Sequence, residues 1–258
     1  MSSSNILLIT GKPGIGKTTL ISRVFDELSK KAGIHVVGFK TEEVRQTSYS
    51  GRSTRLGFDI VLLDSSRRYP RASLARLATT ATNESNQQLQ RRLPRVGQYN
   101  VDIPSFESLA VPCLQSIMNK LDNLSSNLIN TDGQQQQQQQ QQHDVDSIVC
   151  IIIDEIGKME LYSTKFTALI EQLISSILSF SEPMTTTMTT NQSRKKKRSK
   201  VVLLATVPSS KRFDGTRGIP FVDRLCSMKE ACIIEIDAYN RDSVAQDMTK
   251  RISNTEST

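Results

Sequence analysis

Histidine is nearly missing from this chain of 258 residues: only His35 and His143 occur, and the second borders a run of glutamines. Two imidazoles so placed cannot assemble a histidine-based catalytic triad or a zinc site, which removes two classes of enzyme. Cysteine is scarce as well, and Cys113, Cys150, Cys226 and Cys232 form no CxxC pair. Two of the four stand in strongly apolar contexts, as buried thiols in a reducing compartment do. Long hydrophobic runs are absent. The longest, residues 148–153, is far too short to cross a bilayer, and residues 1–10 hold no basic n-region and only a four-residue apolar run. These absences predict a soluble, intracellular and cytoplasmic protein with no membrane partner.

Positive charge is present but concentrated. The formal net charge is +7, and Arg194, Lys195, Lys196, Lys197 and Arg198 supply five of those charges in one run, leaving +2 elsewhere. A nucleic-acid-binding face needs basic residues recurring over several elements, so nucleic acid is not an expected partner. The run itself reads as a solvated loop or as a nuclear-import signal. Three stretches of biased composition, 79–90, 134–142 (polyglutamine) and 181–199, read as insertions in surface loops of one domain spanning residues 1–258. Polyglutamine cannot bury enough apolar surface to offset its ordering entropy, and long surface loops cost little closure entropy. A monomer is expected.

Apolar periodicity supplies the architecture. Residues 5–10 are a short apolar run ending at a glycine-rich turn, after which Leu20, Ile21, Val24, Phe25 and Leu28 recur at helical spacing. Residues 34–39 and 57–64 read as two further strands, with 41–54 as a polar, arginine-containing connection suited to an active-site loop. A short extended piece at 99–103 precedes an amphipathic helix carrying Phe106, Leu109, Leu114, Ile117, Met118 and Leu121. Residues 148–153 and 201–206 read as buried strands of a parallel sheet, 161–180 as a long helix, and 232–236 as a last strand before a C-terminal helix. Strands alternating with helices predict an α/β fold: a doubly wound, mainly parallel sheet flanked by helices.

Chemistry is concentrated in two motifs. Gly11, Lys12, Pro13, Gly14, Ile15, Gly16, Lys17 and Thr18 complete a GxxxxGK[ST] signature between a predicted strand and a predicted helix, the P-loop of nucleotide-binding NTPases. Glycines let backbone N–H groups turn inward around a β-phosphate, and the helix start adds positive potential. Lys17 is expected to bridge β- and γ-phosphate oxygens and the Thr18 hydroxyl to ligate Mg²⁺. The second motif is the run 148–153 followed by Asp154 and Glu155, the shape of a Walker B element. At the C-terminal end of a parallel strand, Asp154 can hold Mg²⁺ through water, and Glu155 can orient or deprotonate an attacking water. Asp154 to Gly157 also satisfies DxxG, and Asn119 to Asp122 satisfies the guanine-reading NKxD. In GTPase switches the base-reading motif follows the DxxG element. Here it precedes it and continues a helical apolar rhythm, so it reads as coincidence.

With these pieces in place the chain resembles the small P-loop nucleoside-triphosphatase family, which includes cancer-related nucleoside-triphosphatase and its thermophilic bacterial and archaeal relatives. Beyond the P-loop the resemblance rests on GFKTEEVR (38–45), RLGFDI (55–60), RVGQY (95–99) and DEIGKMEL (154–161). LATVP (204–208) and NRD (240–242) follow in the expected order. The resemblance implies Mg²⁺-dependent hydrolysis of ATP, GTP and other triphosphates to the diphosphate and phosphate, with slow turnover and little base selectivity. Arg45, Arg55, Arg95 and Arg241 become candidates for neutralising transition-state charge, because each lies in such a block. Thr206 joins the candidate site in the same way.

Two other functions remain open at the level of sequence. A nucleotide or small-molecule kinase would use the same P-loop, with residues 65–95 and their Arg67, Arg68, Arg71, Arg76, Arg91 and Arg92 as a lid. A nucleotide-regulated interaction module would use the insertions to contact a partner.

Overall fold

Every side chain of the run Ile6–Thr10 is buried, and it forms β1, a strand covered on both faces. The computed structural model describes residues 4–49, 51–63, 69–78, 93–129, 148–181, 199–210 and 217–254. After β1 come α1 (Lys17–Leu28), β2 (Ile34–Thr47), β3 (Ser53–Leu63), β4 (Arg71–Leu77), β5 (Arg95–Val96), β6 (Tyr99–Val101) and α2 (Ile103–Ile129). Then follow β7 (Ile148–Ile153), a 3-10 turn (Glu160–Tyr162), α3 (Thr164–Ser181), β8 (Lys200–Thr206), α4 (Pro220–Cys226), β9 (Ala231–Glu235) and α5 (Arg241–Ser253).

The described strands make one sheet in the order β5-β6-β4-β3-β2-β7-β8-β1-β9. From β2 to β9 all pairs are parallel. From β2 outward to β5 all are antiparallel. The expected α/β sheet is therefore present, with an antiparallel wing added to its parallel half.

Alternation along the parallel strands divides their side chains between two cores. Ile6 and Leu8 of β1, Val149, Ile151 and Ile153 of β7, and Leu203 of β8 pack with Phe106, Leu114, Phe166 and Ile170 from α2 and α3. Leu7 and Ile9, Cys150 and Ile152, and Leu204 face the other way, toward Ile21, Val24 and Phe25 of α1 and Met248 and Ile252 of α5. Such two-sided burial is why these strands are apolar without interruption.

Several sequence expectations need correction. The connection expected at 41–54 is largely strand: β2 continues to Thr47 and pairs antiparallel with β3 from Ser53, with one register shift between Val44 and Arg45. The lid considered at 65–95 contains β4, a strand paired on both sides within the sheet. The helix expected from 161 starts at Thr164, where Ser163 caps it: its hydroxyl accepts the Phe166 N–H at 3.0 Å. Asn119 to Asp122 lie inside α2, as the helical reading of that string required. Stretches 79–90 and 134–142, nearly all of 181–199, and the basic run 194–198 lie outside the described residues. No described helix is long and apolar enough to cross a membrane.

Candidate active site

At the C-terminal end of β1 the chain turns through Gly11, Gly14 and Gly16, all with positive φ, and enters α1. Gly16 is the residue preceding the helix, at φ 106° and ψ 25°, a left-handed conformation that an L side chain adopts only under strain. That geometry starts α1 directly at Lys17, so the helix's unpaired N–H groups face the loop. Lys12 to Ile15 close a turn, with the Ile15 N–H 3.2 Å from the Lys12 carbonyl. Lys17 reaches back across the loop and donates to the Gly11 carbonyl at 3.1 Å. Pro13 lies in the same turn.

Asp154 follows β7 and is 1 % exposed. Its Oδ1 accepts the Thr206 hydroxyl at 3.0 Å, and its Oδ2 accepts the Thr41 N–H at 3.3 Å. The Thr41 hydroxyl donates to the Asp154 carbonyl. Burial raises the Asp154 pKa, while hydrogen bonds from Thr18, Thr206 and Thr41 and the charge of Lys17 act to lower it. Through Thr18 and Lys17 the first sequence motif acts on the carboxylate of the second. Position in the sheet explains the set: β8 lies between β1 and β7, so Thr206 at its end stands between the glycine turn and Asp154.

Glu155 is half-buried, and a third carboxylate lies near it. Glu160, in the 3-10 turn, is buried, and its Oε2 accepts the Gly157 N–H at 3.2 Å. Glu155 Oε1 and Glu160 Oε2 each come within 3.1 Å of the point where a Cβ on Gly157 would stand, so Gly157 is where the chain leaves room for both. Burial, and then the Glu155 charge, push the Glu160 pKa up to about 8.

The four candidate arginines separate. Arg241, at the start of α5, is brought to the glycine turn and donates to the Ile15 carbonyl at 3.2 Å. Arg45 and Arg55 both pair with Glu43 on the β2–β3 hairpin. Arg95 donates to the Gly97 carbonyl at 3.0 Å on β5, seven strand positions from β1. At about 4.8 Å per strand that is on the order of 34 Å along the sheet. Sequence reasoning missed Thr41 and Glu160 as members of the site. Both stand in the family-like blocks 38–45 and 154–161, which was the available signal.

Hard oxygen donors, one carboxylate and one hydroxyl backed by further hydrogen bonds, suit Mg²⁺, which keeps waters and takes its other ligands from phosphates. Thr18 and Asp154 are the residues that would hold it.

A glycine turn between a central parallel strand and a helix, with an acid ending the strand two places away, defines a P-loop NTPase α/β fold. The family model described as NTPase matches residues 6–129 and 125–197, and the chain belongs to that family. It is 31 % identical to the cancer-related nucleoside-triphosphatase of Homo sapiens over 94 % of this chain and 93 % of that one. It is 28 % identical to the nucleoside-triphosphatase THEP1 of Aquifex aeolicus over 94 % and 96 %. The solution structure of a human cancer-related nucleoside triphosphatase superposes with a TM-score of 0.58 at 26 % identity, covering 98 % of this chain and all of that one.

Proposed function

We propose that the protein hydrolyses nucleoside triphosphates to the diphosphate and phosphate with Mg²⁺, reading the phosphates far more than the base. The observation that carries this is the buried Asp154, held by Thr206 and Thr41 and lying where Thr18 and Lys17 of the P-loop act on its charge. Relatives named nucleoside-triphosphatases over nearly their whole length support the same reading. Mg²⁺, when bound, neutralises charge on the phosphate oxygens. The backbone N–H groups of Gly11 to Thr18 cradle the β-phosphate, and Lys17 leaves the Gly11 carbonyl to bridge β- and γ-oxygens. Glu155 orients the attacking water and takes its proton. Burial and the Glu155 charge raise the Glu160 pKa, which disfavours a third negative charge against the incoming phosphate. The kinase alternative is not favoured, because part of its supposed lid is strand β4 of the sheet.

Phosphate release from ATP, GTP, CTP and UTP, with and without Mg²⁺ and with no acceptor present, tests this. Metal-dependent hydrolysis of all four is expected. Strict preference for one base, or release only when an acceptor is added, would overturn the reading.

A further inference from the structure

Tyr239 is 97 % exposed, although the loop that carries it is firmly built. Asp237 Oδ1 accepts the N–H groups of Tyr239 and Asn240 at 2.8 and 2.9 Å. Asn240 answers by accepting the Asp237 N–H at 2.8 Å through Oδ1 and donating to the Glu235 carbonyl at 3.0 Å. The pinned backbone fixes where this large aromatic ring, apolar on its faces and polar at its tip, stands in water.

Both ends of this loop rest on the P-loop. Before it, the Ile236 N–H donates to the Thr10 carbonyl at 2.8 Å, and the Ile236 carbonyl lies 2.6 Å from the place a Cβ on Gly11 would take. After it, Arg241 donates to the Ile15 carbonyl, and its Nη1 is 3.5 Å from the corresponding point on Gly16. Sheet order then gives direction. β1 has β8 and β7, with Thr206 and Asp154, on one side and β9 alone on the other. A triphosphate whose terminal phosphate faces Asp154 points its nucleoside end toward β9 and the loop that follows it.

We propose that Tyr239 is the stacking platform for the nucleobase of the bound nucleotide. This rests on the nucleotide reading of the P-loop and extends it to the other end of the substrate. A ring face stacks on any base without reading its edge, so it adds affinity without selecting among the four.

Steady-state kinetics of the full chain with ATP and with inorganic tripolyphosphate, which has the phosphates and no base, test it. Tyr239→Ala should raise KM for ATP by about three- to tenfold, the range of one aromatic stack, with kcat nearly unaffected. Tyr239→Phe should restore the low KM, and neither change should move KM for tripolyphosphate. Because the sequence holds no tryptophan, Tyr239→Trp gives an emission that reports on this one position. Quenching by ATP and not by tripolyphosphate supports the platform. Equal KM changes for both substrates, or identical emission with both, would overturn it. Should the unmodified chain release phosphate from neither substrate, the hydrolase reading fails on its own, and the Tyr239→Trp emission still decides this proposal in the same two ways.

Discussion

The two halves of the sheet are built from different sequence and do different things. In the parallel half, β1 and β7 are buried along their whole length and β8 along all but its first residue. Polar groups in that half collect at the strand ends, where Asp154 and Thr206 meet Thr18. In the antiparallel wing, β3 and β4 mix buried and exposed positions, and charges are paired along and across strands. Glu42 holds Lys40 and Arg71, and Asp59 holds Arg76 at 2.5 Å. A carboxylate in the wing has a neighbouring cation that satisfies it. The buried carboxylates at the parallel ends are held chiefly by hydroxyl and N–H donors, with the Lys17 charge also acting on Asp154. Thr41 stands at the border and is the wing strand's contribution to the site.

The largest expected effect lies in the parallel half. Glu155→Gln keeps size and shape but cannot take a proton, so kcat for phosphate release should fall by about 10²- to 10⁴-fold with KM little changed. A wild-type rate would move the water-activating role elsewhere and weaken the division between the halves. Thr206→Val removes the hydroxyl that orients Asp154 while preserving volume. A magnesium titration of activity should show affinity reduced by about 10- to 100-fold, the usual cost of losing a group that holds a metal ligand. Recovery at high Mg²⁺ would sharpen the contrast, whereas an unchanged midpoint would deny Thr206 this role.

Glu160 gives a smaller, pH-dependent effect. Its folded pKa of about 8 lies above the ordinary glutamate value of 4.5, so between those values the folded state holds a proton that the unfolded state has released. Stability from this group is therefore full below about pH 4.5 and declines as pH rises through 8. Melting temperatures of Glu160→Gln should fall less than those of the wild type between pH 5 and 8, by a few degrees. Parallel curves would mean that Glu160 is ionised in the fold. Smallest of all should be Arg45→Ala and Arg55→Ala, which break exposed pairs with Glu43 and should alter stability by less than about 0.5 kcal/mol. Phosphate release should stay within about twofold. A loss near the 10³-fold typical of a transition-state arginine would show that the hairpin reaches the reacting phosphate, and the separation of site from wing would break.

The same division governs what could be read beforehand. β1, β7 and β8 were legible because burial on both faces demands unbroken apolar sequence, and the P-loop because its glycines and lysine have fixed spacing. Residues 41–47 of β2 carry a polar sequence with Val44 alone apolar, so no alternation marked them as strand. β4 was hidden by its arginines, which pair with acids of β2 and β3 that only the fold brings near. Glu160 looked like any surface acid within a motif. Its burial depends on Gly157 leaving space for it, a relation between atoms that composition does not display.

Strand direction has a further consequence for how this chain tolerates added length. The stretch from 130 to 147 joins α2 to the first residue of β7, and that from 182 to 198 joins α3 to the beginning of β8. Both attach at the N-terminal edge of the parallel strands, whereas Asp154 and Thr206 sit at the opposite edge. Six or seven residues at about 3.3 Å each put roughly 20 Å of packed strand between those points of attachment and the chemistry. Added length at those two joins therefore enters the chain at the strand edge opposite Asp154 and Thr206.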